Sequence, residues 1–393
     1  MKIWNAVFLA AFAFQCKVLA SSTDATDGLV KEDPLPCNGF PEERDIPANY
    51  FFYIGAHVNR LDSPTGFNHQ TTDQSTSSSN NPSITQDRTV TEMLDDGVRL
   101  LEISLCKGAN GKTFLCSAID QETDLHNREP FRDFTDQLFE FIQTRPKQII
   151  VTHISSNASP EKQVSIKDIE SAIDEVCKVH TERTEGTDLF KEGECPFIYA
   201  QKDAKRIWPT LGELVNYDPE MAQWEGDGVD VGVKGMLIFT HSEELIEPQG
   251  YTSSYFSEVF WKSSYVPGQE PQDIKDRLHY MCKKTGGISL KAYPDTSSTD
   301  YVSANEKLYE PRLLEELISA PDGCNFNNAP MHTYFNSIIV DFYQKHLPYL
   351  KELQARMVAI NFSKWDNVAK PFTPSKLLPE QKQEPVHHER DEL

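Results

Sequence analysis

Short apolar runs alternate with segments of helical periodicity along most of this chain. A strand is predicted wherever about four to eight β-branched or aromatic residues stand together between turn residues. Such runs are Asn49–His57, Val98–Leu105, Thr113–Ile119, Gln148–Ser155, Phe197–Gln201, Met236–Thr240, Ile288–Ala292 and Asn336–Tyr343. Segments with apolar residues three and four positions apart separate most of them. This alternation predicts repeated β-α units and therefore an α/β fold, a single-domain (β/α)8 TIM barrel.

The N-terminus has the layout of a secretory signal peptide. A basic start, Met1-Lys2, precedes the apolar run Ile3–Phe14, and small residues follow up to Ala20. We expect cleavage after Ala20, which removes residues 1–20. No later stretch reaches the roughly 18 apolar residues that a membrane-spanning helix needs, so we expect no transmembrane segment.

The C-terminus carries a second targeting signal. Residues 367–393 are rich in proline, glutamine and charge, which predicts a disordered tail. The tail ends in Arg390-Asp-Glu-Leu393, a near match to the retrieval signal of the endoplasmic reticulum. The barrel is expected over 37–366, after a flexible lead-in of 21–36. The two signals together predict a protein of the endoplasmic reticulum lumen that the retrieval receptor binds through the tail.

Net charge limits the partners of this protein, and its cysteine content agrees with that compartment. A net charge of -22 argues against nucleic acid or an anionic membrane as an electrostatic partner. Cysteines in an oxidising lumen favour disulfides. Short sequence separation predicts three pairs: Cys106 with Cys116, Cys177 with Cys195, and Cys282 with Cys324. The sequons at Asn157 and Asn361 predict a glycoprotein.

Four polar residues stand out in or beside the apolar strands. His57 ends the first strand, at the edge where barrel enzymes carry their chemistry, although a histidine that merely caps the strand explains it equally well. Arg99 and Glu102 lie in the second predicted strand, where a buried charge needs a partner or a function. An internal ion pair that stabilises the barrel is the alternative for both. His153, in mid-strand, is interpreted as a hydrogen-bonded core histidine.

The order of several motifs along the chain resembles a known superfamily. The motifs are Cys37-Asn-Gly39, Gly55-Ala-His57, Val90-Thr-Glu-Met-Leu-Asp-Asp-Gly-Val-Arg99, Trp208-Pro-Thr-Leu-Gly-Glu-Leu214, Leu237-Ile-Phe239 and Ile338-Ile-Val-Asp-Phe342. Their succession is similar to that of the phospholipase C-like phosphodiesterases, and most similar to secreted fungal members with a phosphatidylinositol phospholipase C X-type barrel. The similarity covers about residues 37 to 365.

The resemblance implies acid/base cleavage of a phosphodiester in a phospholipid headgroup or glycolipid. In that family one histidine deprotonates the attacking hydroxyl and a second protonates the leaving group, while an arginine or a calcium ion stabilises charge on the phosphate. His57 matches the first histidine, and Asp341 resembles the acidic residue that orients it. Arg99 matches the arginine of the second strand, and Glu102 stands where the calcium-dependent members place a carboxylate.

Several positions depart from the family pattern. Val58 follows His57 in place of asparagine, and Ser104 stands where the calcium-binding pattern has a second carboxylate. Ser117 replaces the second histidine. His69, in the long loop of residues 62 to 88, and His241, after the sixth predicted strand, are the candidate replacements for the missing acid.

Two functions therefore remain open. The protein is a phosphoric diester hydrolase, or it is a catalytically inactive barrel that binds a lipid headgroup, a glycan or a client protein. Glu102 alone offers too few oxygen ligands for tight calcium binding, so calcium is at most a weak cofactor unless carboxylates from loops join it.

Overall fold

The computed structural model describes residues 37–39, 46–58, 85–86, 88–108, 110–116, 129–145, 147–156, 163–184, 192–203, 206–215, 235–242, 245, 247–257, 286–292 and 333–369. All of them belong to one compact unit, Asp33–Leu393. The predictions made for residues 1–36, His69, Ser117, the Cys282 to Cys324 disulfide and the tail beyond Ala369 concern residues outside this set.

Seven strands form one sheet in the described part of the chain. They are β1 (Tyr53–His57), β2 (Leu100–Lys107), β3 (Thr113–Leu115), β4 (Ile149–Ser155), β5 (Met236–His241), β6 (Gly286–Ala292) and β7 (Thr333–Val340). The main path of the sheet runs β5-β4-β2-β1-β7-β6, and every pair along it is parallel.

The first strand of this sheet lies between the second strand and the last one. Read from β6, the order is β6, β7, β1, β2, β4, β5, which is the chain order started at a different point. A barrel has this property, because its first and last strands are neighbours. The prediction of an α/β fold of the TIM-barrel-like kind is thus confirmed.

Two of the predicted strands do not lie on the parallel path of the sheet. In the described part of Thr113–Ile119, residues 113–115 form β3, which pairs antiparallel with β2. The turn between them, which includes Gly111 at φ 76°, is too short for the crossover that a parallel neighbour needs. Phe197–Gln201 makes a single parallel bridge, Ile198 to Leu237, and β4 pairs directly with β5.

Helices connect or cover the strands. They are α1 (Val90–Asp95), α2 (Phe131–Thr144), α3 (Ile166–Thr184), α4 (Leu211–Val215) and α5 (Leu347–Ala369). The start of α1 has the predicted capping box, in which Thr89 and Glu92 satisfy each other's backbone amides. In the described ranges, none of the helices combines the length and the apolar character that crossing a membrane requires.

Two of the motifs on which the resemblance rests lie at the amino ends of the strands. The side-chain amide of Asn38 pairs with the backbone of Ile149, accepting from its N–H at 2.8 Å and donating to its C=O at 3.2 Å. The 208–214 motif begins α4, whose Leu211 N–H donates to the carbonyl of Ile46. These residues make structural contacts at the amino ends of the strands. The candidate site lies at the opposite, carboxyl ends.

Two cysteine pairs lie at disulfide distance, as the sequence predicts. Cys106 on β2 faces Cys116 just after β3, and Cys177 on α3 faces Cys195; the Cα atoms are 6.0 Å apart in both pairs. The first pair ties the β2–β3 hairpin, and the second fixes the segment after α3 to that helix.

Candidate active site

Four polar side chains form one row across the carboxyl half of the sheet. The strand register aligns His57 with Glu102, Glu102 with His153, and His153 with Thr240. All four residues are buried. Since residues aligned across neighbouring strands point to the same face, these side chains share one surface, which we call the polar row.

The structure brings His57 and Asp341 together. Asp341 directly follows β7, the neighbour of β1, and its Oδ1 lies 3.0 Å from Nδ1 of His57. The carboxyl is completely buried. Gln86 supports the pair, because its side-chain amide donates to the carbonyls of His57 and Val340, each at 2.9 Å.

This contact determines the tautomer of His57. A carboxylate can only accept a hydrogen bond, so Nδ1 must carry the proton. In the neutral imidazole Nε2 is then the nitrogen that can take one. A carboxylate that hydrogen-bonds to one ring nitrogen commonly orients a catalytic histidine in this way.

Glu102 forms an ion pair with a lysine from a strand that is not adjacent to β2 in the sheet. Lys291 on β6 donates to its Oε1, with 4% of the glutamate side chain and 21% of the lysine side chain exposed. Burial raises the pKa of the Glu102 carboxyl, but Lys291, His57 and His153 outweigh burial and lower the pKa to about 2. Glu102 is therefore ionised at neutral pH.

The next member of the row, His153, is held neutral. Its Nδ1 lies 3.0 Å from the hydroxyl of Thr240, which agrees with the interpretation of a hydrogen-bonded histidine. Burial lowers its pKa, Glu102 partly opposes this, and Lys291 with His241 lowers it further, to about 4. Beyond the row, the hydroxyls of Ser104 and Ser155 are 2.7 Å apart.

The structure separates Arg99 from these residues. Arg99 precedes β2, and its guanidinium donates to Oε1 of Gln148, to the carbonyl of Val98 at 2.8 Å and to the carbonyl of Leu94. It lies at the amino end of the strand, with its guanidinium 5.2 Å from the ring centre of Phe141. The structure does not bring Arg99 and His57 together, because Arg99 precedes β2 whereas His57 ends β1.

His241 ends β5 next to the row but on the other side of the strand from Thr240. Its Nδ1 donates to the carbonyl of Ser242 at 2.9 Å, and its ring packs edge-on against Phe256. A position one residue beyond Thr240 faces away from the row by strand alternation. His69, the other candidate for the missing acid, is outside the described residues.

Sequence reasoning missed Lys291. A lone charge in the weakly signalled strand Ile288–Ala292 is the same kind of signal that singled out Glu102. The partner of that charge could not be read from the sequence, because the two residues are 189 positions apart.

Fold and site together define an α/β protein of the TIM-barrel-like class with a histidine–aspartate pair at the carboxyl ends of its strands. A scan against protein-family models finds no match, and neither does a search of the curated proteins.

Among solved structures, the chain is similar to phosphatidylinositol-specific phospholipase C from Listeria monocytogenes, with 13% identity, a TM-score of 0.48 and coverage of 81% of this chain and 96% of that one. It is also similar to a double mutant of the Staphylococcus aureus enzyme of that name, with 13% identity, a TM-score of 0.41 and coverage of 76% of this chain and 88% of that one. A calcium-dependent phosphoinositol-specific phospholipase C from Pseudomonas shares 10% identity at a TM-score of 0.31, with coverage of 78% and 92%.

Proposed function

We propose that this protein is a phosphodiesterase that cleaves a phosphodiester in the headgroup of a phospholipid or glycolipid. The observation that carries the proposal is the buried contact of 3.0 Å between His57 and Asp341 at the carboxyl ends of adjacent parallel strands. Imidazole is suited to take a proton near neutral pH, and the carboxylate holds it in the tautomer that can do so.

His57 acts as the base. Its Nε2 takes the proton of the attacking hydroxyl, whose oxygen bonds to phosphorus while the bond from phosphorus to the leaving oxygen breaks. Asp341 accepts the hydrogen bond from Nδ1, so that proton stays on the ring. The carboxylate also stabilises the imidazolium that forms. The leaving oxygen takes its proton from solvent, because serine stands at position 117, where the superfamily has its second histidine.

Loss of the general acid sets the expected rate and pH profile. A general acid typically contributes about 10²- to 10⁴-fold to the rate. We therefore expect turnover to be lower by that factor than in an enzyme with both the base and the acid. Because no general acid has to keep its proton, the rate should not fall at high pH. In Ser117→His we expect a faster rate and a fall in rate at high pH that the parent lacks. An unchanged rate and pH profile would contradict the assignment of the acid to position 117.

The test is hydrolysis of phosphatidylinositol vesicles and of a soluble phosphodiester chromogen by the purified protein and by His57→Ala. We expect the substitution to abolish turnover. His180→Asn is the matched control, because the buried His180 forms the other described histidine–aspartate pair, with the exposed Asp136 at 2.8 Å between α2 and α3. Its folded fraction should keep the parent rate. Equal background signal from parent and His57→Ala over a broad pH range would refute the proposal.

Binding without turnover is the second candidate function. It is favoured by the Lys291–Glu102 contact, which joins two site charges in a fixed pair. Calorimetry with glycerophosphoinositol distinguishes the candidates. A binder takes up the intact diester with similar affinity in the parent and His57→Ala, whereas a phosphodiesterase releases inositol phosphate only in the parent.

We also propose that the protein resides in the lumen of the endoplasmic reticulum and is recognised there by the retrieval receptor. The two cysteine pairs at disulfide distance support an oxidising compartment, in line with the signal sequences. Removal of residues 390–393 should shift the protein from cells to the medium. Equal retention with and without these residues would refute this location.

A further inference from the structure

Lys291 reaches the polar row from a strand that is not its neighbour. Two strands, β7 and β1, lie between β6 and β2. In a flat sheet β6 and β2 would be roughly 14 Å apart. The contact between Lys291 and Glu102 therefore places the ammonium over the concave inner face of the sheet, on the side that carries His57, Glu102 and His153.

The residues around Glu102 do not fit a calcium ion. Calcium takes about six to eight oxygen ligands. Here an ammonium contacts the carboxylate, and the hydroxyl of Ser104 pairs with that of Ser155. Within the described ranges, no group of three histidine, cysteine, aspartate or glutamate side chains could hold a metal ion. A divalent cation beside Glu102 would also meet the positive charge of Lys291.

We propose that Lys291 is the resident cation of this site, and that its ammonium binds the phosphate group of the ligand without a metal. The proposal rests on the proposed function in one respect, that the ligand carries a phosphate. In this proposal Lys291 supplies the positive charge that contacts the phosphate, a role for which the motif order suggested Arg99.

The geometry suits this role. An ammonium has three N–H donors, so it can keep its contact with Glu102 and donate to a phosphate oxygen as well. The lysine side chain is 21% exposed, whereas that of Glu102 is 4% exposed, so a ligand that enters from the solvent reaches the ammonium first. Glu102 then acts as a positioning residue that aims the lysine at the row.

The test uses inorganic phosphate as the probe, with affinity measured by calorimetry and by the rise in Tm, in EDTA and in calcium chloride. The variants are Lys291→Arg, which keeps the charge, and Lys291→Met. A double variant, Lys291→Met with Glu102→Gln, removes both charges, so the fold is retained even if an unpaired Glu102 prevents folding. Lys107→Met is the matched control, because Lys107 pairs with Asp168 at 3.1 Å and, five residues beyond Glu102, faces the opposite side of β2.

We expect the parent to bind phosphate equally in EDTA and in calcium. Lys291→Arg and Lys107→Met should retain the affinity, and both variants with methionine at position 291 should lose at least about tenfold. No phosphate binding by the parent, binding only with calcium, or unchanged affinity in the double variant would overturn the proposal. Phosphate binding that depends on Lys291 in a protein without turnover would refute the proposed hydrolase while leaving this inference intact.

Discussion

At the scale of single residues, the burial of His153 makes the stability of the protein depend on pH. Its imidazole is 8% exposed, and its pKa is lowered to about 4 from an ordinary value near 6.5. The unfolded chain therefore binds a proton at a higher pH than the folded protein does. As pH falls from about 6.5 towards 4, the free energy of unfolding must decrease.

We expect His153→Gln to remove that decrease, because glutamine does not titrate and can still hydrogen-bond to Thr240. Between about pH 7 and pH 4 the parent should lose up to about 3 kcal/mol more stability than the variant. Urea unfolding at several pH values measures the difference. Parallel curves for parent and variant over this range would contradict the lowered pKa.

The separation of Arg99 from Glu102 is also a matter of single positions. The two residues are three apart, and residues an odd number apart point to opposite faces of a strand. In the predicted strand Val98–Leu105, this alternation places the two side chains on opposite faces. The assignment of Arg99 to a phosphate rested on the motif and did not use this alternation.

At the scale of elements, Arg99 joins the ends of three segments. It bridges the end of α1 at Leu94, the start of β2 and the residue before β4, Gln148. Removal of the guanidinium leaves several buried oxygens without their donor, which is costly.

We therefore expect Arg99→Met to lower the free energy of unfolding by about 2 to 4 kcal/mol while the folded fraction keeps its turnover and phosphate affinity. Chemical denaturation and the rate per folded molecule are the measurements. Arg132→Met, at an exposed ion pair with Glu175 of 3.7 Å, is the control and should change stability by less than about 1 kcal/mol. A selective loss of phosphate binding in Arg99→Met would restore the role predicted from the motif.

A second element-level contact fixes the segment 251–257 to α3. The buried carboxylate of Glu170 accepts hydrogen bonds from the hydroxyls of Tyr251 and Ser253 and from the backbone amides of Ser254 and Tyr255. This segment adjoins β5 through the bridge between Phe239 and Phe256.

We expect Glu170→Ala to release the segment locally, with hydrogen exchange at the amides of Ser254 and Tyr255 faster by tenfold or more. Exchange in β1 and β2 should stay as in the parent. Glu175→Ala, an exposed position on the same helix, serves as the control. Unchanged protection of both amides would show that other contacts hold the segment.

Sequence patterns predicted local features well and distant pairings poorly. The capping box at Thr89 and the two cysteine pairs depend on residues that are close in the chain, and the structure contains them. The hairpin strand β3 was mistaken for a barrel strand, because an apolar run does not reveal its partner. The pairing of Lys291 with Glu102 depends on the curvature of the sheet, which no local pattern encodes.

At the scale of the whole molecule, the net charge of -22 dominates. Repulsion among excess acidic groups opposes the compact state, and salt screens it, with a Debye length of about 10 Å at 0.1 M. We expect Tm to rise by a few degrees between about 20 and 300 mM sodium chloride. Potassium chloride at the same ionic strength should give the same rise, whereas a constant or falling Tm would contradict the expectation.

The pairing of the first strand with the last also determines when the site can form during synthesis of the chain. His57 and its aspartate are 284 residues apart, and a ribosome adds roughly 5 to 20 residues each second. For about 15 to 60 seconds of synthesis, a nascent chain that already contains β1 has no β7 to pair with it. A polypeptide released before residue 341 would contain the histidine and never its carboxylate, so the proposed chemistry can begin only when synthesis is nearly complete.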